Sequence, residues 1–308
     1  MHKRNTRYPI LDTDHVYAVI LVGGKGKRLR PLSTHKRPKP FLSVTSDRKT
    51  MFRKAFERAC KIVPRDRVIV VANRAHARLV AADAPEIDTR NILAEPVSRN
   101  TANAIALAAI DIEIRDPSAI MVVIPADHYI DAQEKFVETI RRAIALAVRQ
   151  KNALVTIGIR PTFPSTEYGY IQVTRSPGHQ VTSKGCRVKK FVEKPDAATA
   201  RRYVKEERYL WNSGTFVFSA RAIIDALKRF EPSICKILHN DAISLSRRYR
   251  RLPDISIDYA VMERATNIFC VGASYRWYDV GSFERLKEVL KKESRSFIER
   301  NGKVTKII

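Results

Sequence analysis

The chain has 308 residues, of which 57 are Lys or Arg and 32 are Asp or Glu, so it carries a net charge of +25, and 44% of it is hydrophobic. That composition excludes a disordered or fibrous chain and suits one large α/β domain, alone or with a small C-terminal appendage. The longest apolar runs, such as Val16 to Val22 and Ile120 to Ala126, fall far short of the ~20 residues that span a membrane.

Residues 1–15 are polar and charged without periodicity and read as a mobile N-terminal extension. Asp12 and Asp14 interrupt any signal-like apolar stretch, so export is not expected. Tyr17 to Val22 is a short continuous apolar run closed by Gly23-Gly24, the pattern of a fully buried strand. A long basic loop leads to a helix near Met51 to Val63, with Cys60 on its inner face. A strand at Val68 to Ala72, a helix near Arg74 to Ala82 and a strand at Ile92 to Ala94 continue the alternation. Thr101 to Ile114 is apolar almost all round, as a buried helix is. Ile120 to Ile124 is a further strand, followed by a helix with Phe136, Ile140, Ile144, Ala147 and Val148 on its inner face. Such alternation predicts an α/β fold: a Rossmann-like mixed, mostly parallel sheet flanked by helices, with ligands bound beyond the carboxyl ends of the strands.

The second half is more mixed. Strands are predicted at Leu154 to Ile159, Tyr170 to Thr174, Arg187 to Val192 and Thr215 to Phe218. Helices are predicted near Ala197 to Glu206, Ala220 to Phe230, Ser256 to Ala265 and Ser282 to Lys292. The four cysteines, Cys60, Cys186, Cys235 and Cys270, form no CxxC pair. This argues against a zinc site or a disulfide framework and for a reducing, cytoplasmic setting.

Charge is distributed unevenly. Lys25 to Lys54 holds eleven basic residues and one acid, a net +10. Arg285 to the last residue adds +5, and Arg247, Arg248, Arg250 and Arg251 add +4. Such segments are either solvated surface, a patch for nucleic acid or anionic lipid, or a site for a small polyphosphate. Adjacent glycines after the buried strand let backbone amides approach phosphate oxygens, but a strand followed by Gly-Gly is more often simply a turn, so the wider pattern of the first segment has to decide. Neither common nucleotide motif fits: Leu29 stands where GxGxxG needs its third glycine, and Walker A spacing is absent.

The pattern Gly24-x-Gly26-x-Arg28-Leu29-x-Pro31, followed by Pro38-Lys39-Pro40-Phe41-Leu42, resembles the sugar-1-phosphate nucleotidylyltransferase family, and within it most closely the mannose-1-phosphate guanylyltransferases. The resemblance runs from about Tyr17 to Leu290. Its further blocks are EPVSRNTANAIALAA, PADHYI, STEYGYI, FVEKP, WNSGTFVF, SIDYAVME and WYDVGS, in family order. It implies that residues 16–270 form the nucleotidyltransferase domain with a sugar-binding lobe, and 271–308 a C-terminal metal-site loop, helix and tail. It also implies Mg2+ as cofactor and GTP and mannose 1-phosphate as substrates; nucleic acid and membrane are not expected partners, and a homo-oligomer is compatible with it. The same reaction on dTTP or UTP with glucose 1-phosphate is the nearest alternative. A catalytically silent nucleic-acid-binding or regulatory protein on the same fold is the more distant one.

The chemistry so implied is attack of a sugar 1-phosphate oxygen on the α-phosphorus of a nucleoside triphosphate. A phosphate monoester has its second pKa at about 6, so this nucleophile is anionic at neutral pH and needs no general base. By resemblance, Arg28 and Lys39 hold the triphosphate and stabilise departing pyrophosphate, and Gly23, Gly24, Gly26, Lys25, Lys27, Asn100 and Thr101 complete the nucleotide site. Asp127 and Asp279 correspond to metal-holding carboxylates, whose oxygens suit a hard cation shared with phosphates. His128 is expected beside the metal site and not as a ligand. Gly169, Glu193, Lys194, Asn212 and Asp258 resemble the sugar-phosphate site, with a helix cap as the competing role for Asp258. Three departures stand out: the family usually has a small or acidic residue at Lys27, often Trp at Arg30, and proline at Asn103.

Overall fold

The computed structural model describes residues 13–24, 26–174, 185–239, 244–295, 297–300 and 303–307. The expected extension lies outside these residues up to position 12, as does Lys25.

The strands are β1 (Val16–Val22), β2 (Val68–Asn73), β3 (Ile92–Glu95), β4 (Ile120–Pro125), β5 (His128–Ile130), β6 (Leu154–Ile159), β7 (Tyr170–Val173), β8 (Cys186–Val192), β9 (Tyr209–Ser219), β10 (Ile268–Gly272) and β11 (Trp277–Asp279), with a C-terminal hairpin of β12 (Phe297–Arg300) and β13 (Lys303–Lys306). The helices are α1 (Met51–Cys60), α2 (Arg74–Asp83), α3 (Asn100–Arg115), α4 (Gln133–Arg149), α5 (Ala197–Lys205), α6 (Ala220–Phe230), α7 (Pro232–Leu238), α8 (Leu245–Tyr249) and α9 (Phe283–Lys292).

Nine strands form one sheet in the order β3-β2-β1-β4-β9-β6-β10-β8-β7. The expected parallel arrangement holds for β3-β2-β1-β4, where Val19 pairs with Ile69 on one side and Val123 on the other. From β9 onward the pairings are antiparallel except β10 with β6. Alternate residues of the parallel strands feed opposite cores. Ala18, Ile20, Val70 and Val122 pack with Phe52, Phe56 and Phe136 from α1 and α4. Val19, Ile69, Met121 and Val123 pack with Ile105, Ala109, Ile223 and Leu227 from α3 and α6. Both faces being covered, these strands read as unbroken apolar runs.

Several boundaries differ from expectation for local reasons. The helix expected to reach Val63 ends at Cys60, because Val63 precedes Pro64 and a residue before proline is driven out of the helical region. Val148, expected on the inner face of α4, is 57% exposed. At 100° per residue it lies well round from Phe136, in the final turn. The strand expected from Thr215 begins at Tyr209, because Asn212-Ser213-Gly214 continues it through a register irregularity opposite Thr156 and Gly158, with Gly214 at φ +69°. The helix expected over Ser256 to Ala265 contracts to a single π-turn, Asp258–Met262.

A third, smaller core explains how the basic loop is held. Leu29, Leu32, Leu42 and Val44 pack with Val280, Leu286, Val289 and Leu290 from β11's exit and α9. The segment with net +10 is therefore anchored by its leucines against the C-terminal helix. Cys60 is partly buried against the core, and Cys186, Cys235 and Cys270 are buried. Among the described residues no helix is long and apolar enough to cross a membrane.

Candidate active site

The carboxyl ends of β1, β3 and β4 open onto one cavity of about 380 Å³. Its wall includes Gly23, Gly24, Asn100, Thr101, Asp127, Gly169, Glu193, Asn212, Asp258 and Asp279, which are ten of the residues expected from sequence. Gly24 and Gly26 have φ of +90° and +54°, a region L side chains rarely enter, and a Cβ on Gly26 would lie 2.8 Å from Ser33 Oγ. The loop after β1 thus needs glycine to turn. The side chain of Lys27 is not among those described.

Asp127 and Asp279 are 152 positions apart, and a two-stranded ribbon brings them together. β5 pairs antiparallel with β11, setting Asp279 opposite His128, the neighbour of Asp127. Between the two carboxylates lies Lys39. Its Nζ is 2.7 Å from Asp127 Oδ2 and 2.7 Å from Asp279 Oδ1, and its side chain is 8% exposed. Burial alone would lower the Lys39 pKa, but the two aspartates outweigh it and raise the ammonium's pKa. For Asp279 the opposition runs the other way: burial pushes its carboxyl up, while the ammonium of Lys39 foremost holds it below the ordinary aspartate value. Burial pushes the His128 imidazole's pKa down, which favours its neutral form. Its Nε2 is 3.9 Å from Asp127 Oδ1, and its ring meets Trp277 edge-on at 5.0 Å.

Arg28 sits in a one-turn 3-10 helix, Lys27–Leu29, and pairs with Glu167, which lines the cavity; both side chains are more than half exposed. A mobile, solvated guanidinium at a cavity edge can meet an anionic ligand without a large desolvation cost.

On the far side, Glu193 is buried and pairs with Lys194 at 2.5 Å. Gly169 makes room for that carboxylate, since a Cβ there would collide with Glu193 Oε2. Lys194 holds φ +47°, which carries its half-exposed ammonium back over its neighbour. It is not a wall residue of the cavity. Asn212 is largely committed: Oδ1 accepts from Thr156 Oγ1 at 2.8 Å and from the Gly214 amide at 3.2 Å, while Nδ2 donates to Asp258 Oδ1 at 2.9 Å. Asp258 is therefore a partner of Asn212 and caps no helix with its side chain. Burial, then the charge of Glu193, raises its pKa.

The cavity wall also holds a residue that the sequence offers only inside the block EPVSRNTANAIALAA. Glu95 ends β3, is 6% exposed, lines the cavity and accepts a 2.9 Å hydrogen bond from Tyr249 Oη. Burial lifts its carboxyl to about 7. An acid closing an apolar strand was the available signal. Glu167 and the aromatic wall residues Tyr168 and Trp277 were visible only as members of sequence blocks. Asn103, where the family usually has proline, is fully buried and its Nδ2 donates to the Pro253 carbonyl at 2.8 Å as well as to the Arg99 carbonyl. It ties the first turn of α3 to the segment leading to Asp258.

Among the described residues no group of three or more His, Cys, Asp or Glu could hold a metal by itself. The pair Asp127 and Asp279 nonetheless suits Mg2+, which takes one or two carboxylates and fills its shell with water and phosphate oxygens. Their nearest oxygens share one ammonium and so lie no further apart than the sum of two hydrogen-bond lengths.

A nucleotidyl transferase family model matches residues 17–296. The chain is 36% identical over 290 residues to a mannose-1-phosphate guanylyltransferase of Escherichia coli, covering 90% of this chain and 62% of that one. It is 38% identical over 303 residues to the alginate biosynthesis protein AlgA of Pseudomonas putida, covering 94% of this chain and 59% of that one. It thus spans about three fifths of the length of these curated relatives. Among solved structures, a mannose-1-phosphate geranyltransferase from Thermus thermophilus superposes with a TM-score of 0.79 at 35% identity, over 89% of this chain and 79% of that one. A UDP-glucose pyrophosphorylase from Acinetobacter shares the fold at a TM-score of 0.59 and 14% identity, over 89% of this chain and 91% of that one.

Proposed function

Because this chain belongs to the nucleotidyl transferase family, we propose that it transfers GMP from GTP to mannose 1-phosphate, giving GDP-mannose and pyrophosphate. An oxygen of the sugar phosphate forms a bond to the α-phosphorus, and the bond from that phosphorus to the α,β-bridging oxygen breaks. Pyrophosphate leaves with the electron pair, and no proton has to move for the bond exchange. The work left to the protein is positioning and charge neutralisation.

The observation that carries the reaction class is Lys39 held between Asp127 and Asp279, two wall residues of a cavity that the glycine-rich loop also lines. Lys39 supplies a fixed positive charge where phosphates converge, and Arg28 supplies a mobile one for the leaving pyrophosphate. The Gly23 and Gly24 amides can approach phosphate oxygens closely. Asp127 and Asp279 would hold Mg2+, which when bound withdraws charge from the phosphates it contacts. Glu193 with Lys194 and Asp258 with Asn212 provide acceptors and a cation for a sugar phosphate.

Glu95 supports guanine over the other bases. An ionised carboxylate only accepts hydrogen bonds. Guanine offers it two neighbouring donors, N1–H and the 2-amino group, whereas uracil and thymine offer one donor between two acceptors. Pyrophosphate release measured across GTP, ATP, UTP and dTTP with mannose and glucose 1-phosphates tests the proposal. Turnover should be fastest with GTP and mannose 1-phosphate; activity confined to a non-guanine nucleotide would refute the specificity.

A further inference from the structure

The basic run Arg247 to Arg251 has no part in the site as described so far, yet its central residue reaches it. Arg247, Arg250 and Arg251 are exposed, while Tyr249 between them is completely buried. Tyr249 Oη donates to Glu95 Oε1 at 2.9 Å. The same stretch is fastened to the first turn of α3 by four contacts. Arg99 Nη2 donates to the Arg250 carbonyl at 2.7 Å, Asn103 Nδ2 to that of Pro253 at 2.8 Å and the Ala102 amide to that of Ile255 at 3.3 Å, and Thr101 Oγ1 accepts from the Ile257 amide at 2.9 Å. Its next residue, Asp258, lines the same cavity. The exposed arginines keep the segment's outer face in water, and the buried phenol is the part that faces inward.

We propose that Tyr249 is a positioning residue for base selectivity, its phenol fixing the orientation of the Glu95 carboxylate and favouring its ionised form, so that it is presented to the nucleotide base as an acceptor. This rests on the reading of Glu95 as the group that meets the base. A carboxyl in an apolar wall has two ways to fail at that task. It can rotate, or it can take up a proton and become a donor. The Tyr249 hydrogen bond opposes both, because it fixes one oxygen and favours the ionised form. Burial and the Tyr249 bond are the two influences on Glu95, and only the bond works toward ionisation. Without it, guanine would meet a carboxyl less fixed in orientation and more readily protonated.

The test compares GTP with ITP, which lacks the 2-amino group, at saturating mannose 1-phosphate. The wild-type protein should favour GTP in kcat/KM by roughly 10-fold or more, as expected for a hydrogen bond to a charged group. Tyr249→Phe, which removes one oxygen, should reduce that preference about tenfold through KM for GTP, leaving KM for mannose 1-phosphate unchanged. It should also move upward the pH below which KM for GTP rises. Site-specific 3-fluorotyrosine at 249, a stronger donor of the same shape, should move that pH downward, and it serves as the second variant should the phenylalanine form fold poorly. Glu95→Gln should abolish the GTP preference, with Tyr249→Phe adding nothing further in the double variant. If Glu95→Gln abolishes the preference while both changes at 249 leave preference and pH profile intact, Tyr249 is packing only and the proposal fails with the reading of Glu95 standing. If the wild type does not distinguish GTP from ITP and Glu95→Gln changes nothing, the reading of Glu95 fails and the proposal with it.

Discussion

Replacing Lys39 with methionine removes an ammonium that is 8% exposed and sits 2.7 Å from each of two carboxylate oxygens. Methionine keeps the length of the side chain, so the perturbation is electrostatic. Taking one partner out of a buried ion pair costs about 3–5 kcal/mol, because the remaining charge is left without compensation. At about 2 °C per kcal/mol for a chain of this size, Lys39→Met should melt roughly 6–10 °C lower than wild type in EDTA. In the variant Asp127 and Asp279 have no cation between them. Mg2+ should therefore raise its melting temperature by more than it raises that of wild type, in proportion to the logarithm of the free ion concentration. Stability would recover while turnover would not, since the point charge beside the phosphates is still missing and kcat should stay about 10²–10³-fold down. Calorimetry with and without Mg2+, paired with pyrophosphate release, reads both effects. A variant that melts within a degree or two of wild type in EDTA, with the same Mg2+ response, would refute the bridging role of Lys39.

Three further outcomes follow from single features. Gly169→Ala puts a Cβ against Glu193 Oε2, so KM for mannose 1-phosphate should rise about tenfold or more with KM for GTP little changed, which initial-rate kinetics will show. Arg28→Ala, at an exposed position, should lower kcat by about 10²-fold yet alter urea-unfolding stability by no more than about 0.5 kcal/mol. Glu95 is raised from the ordinary 4.5 to about 7 by burial, so the folded protein holds this proton more tightly than the unfolded chain. The stabilisation is complete below pH 4.5 and is lost as pH rises through 7, amounting to roughly 3 kcal/mol. Urea titrations of wild type and Glu95→Gln should converge near the acid end and diverge in favour of the variant toward pH 8; parallel pH dependences would contradict this.

The parallel strands were legible because both of their faces are covered, which turns burial into unbroken apolar runs such as Val16 to Val22. The glycine-rich loop was legible because its conformation admits few other residues. What sequence pattern conceals is juxtaposition across distance. Strands β5 and β11 have three residues each, too few to show periodicity, and their pairing is what unites Asp127 with Asp279. Lys39 lies in a stretch whose charge left solvated surface, an anionic partner and a polyphosphate site all open; its burial is invisible locally, because it depends on the leucines beside it packing against α9 and on two distant aspartates that neutralise it. Tyr249 was hidden by its neighbours: four arginines in five positions read as surface, and one buried aromatic among them leaves no periodic trace. Asn212 was read as a ligand group, and its commitment to Thr156 and Asp258 depends on a strand irregularity that no local pattern announces.

The central claim is that the sugar phosphate attacks the α-phosphorus of GTP at the Asp127-Lys39-Asp279 cluster. Mannose 1-phosphate carrying ¹⁸O in its phosphate, turned over with GTP and followed by ³¹P NMR and mass spectrometry, tests it most directly. The account predicts GDP-mannose with all of the label, including the bridging oxygen, unlabelled pyrophosphate, and loss of product formation in Asp127→Asn. Labelled pyrophosphate, or undiminished turnover by Asp127→Asn, would contradict it.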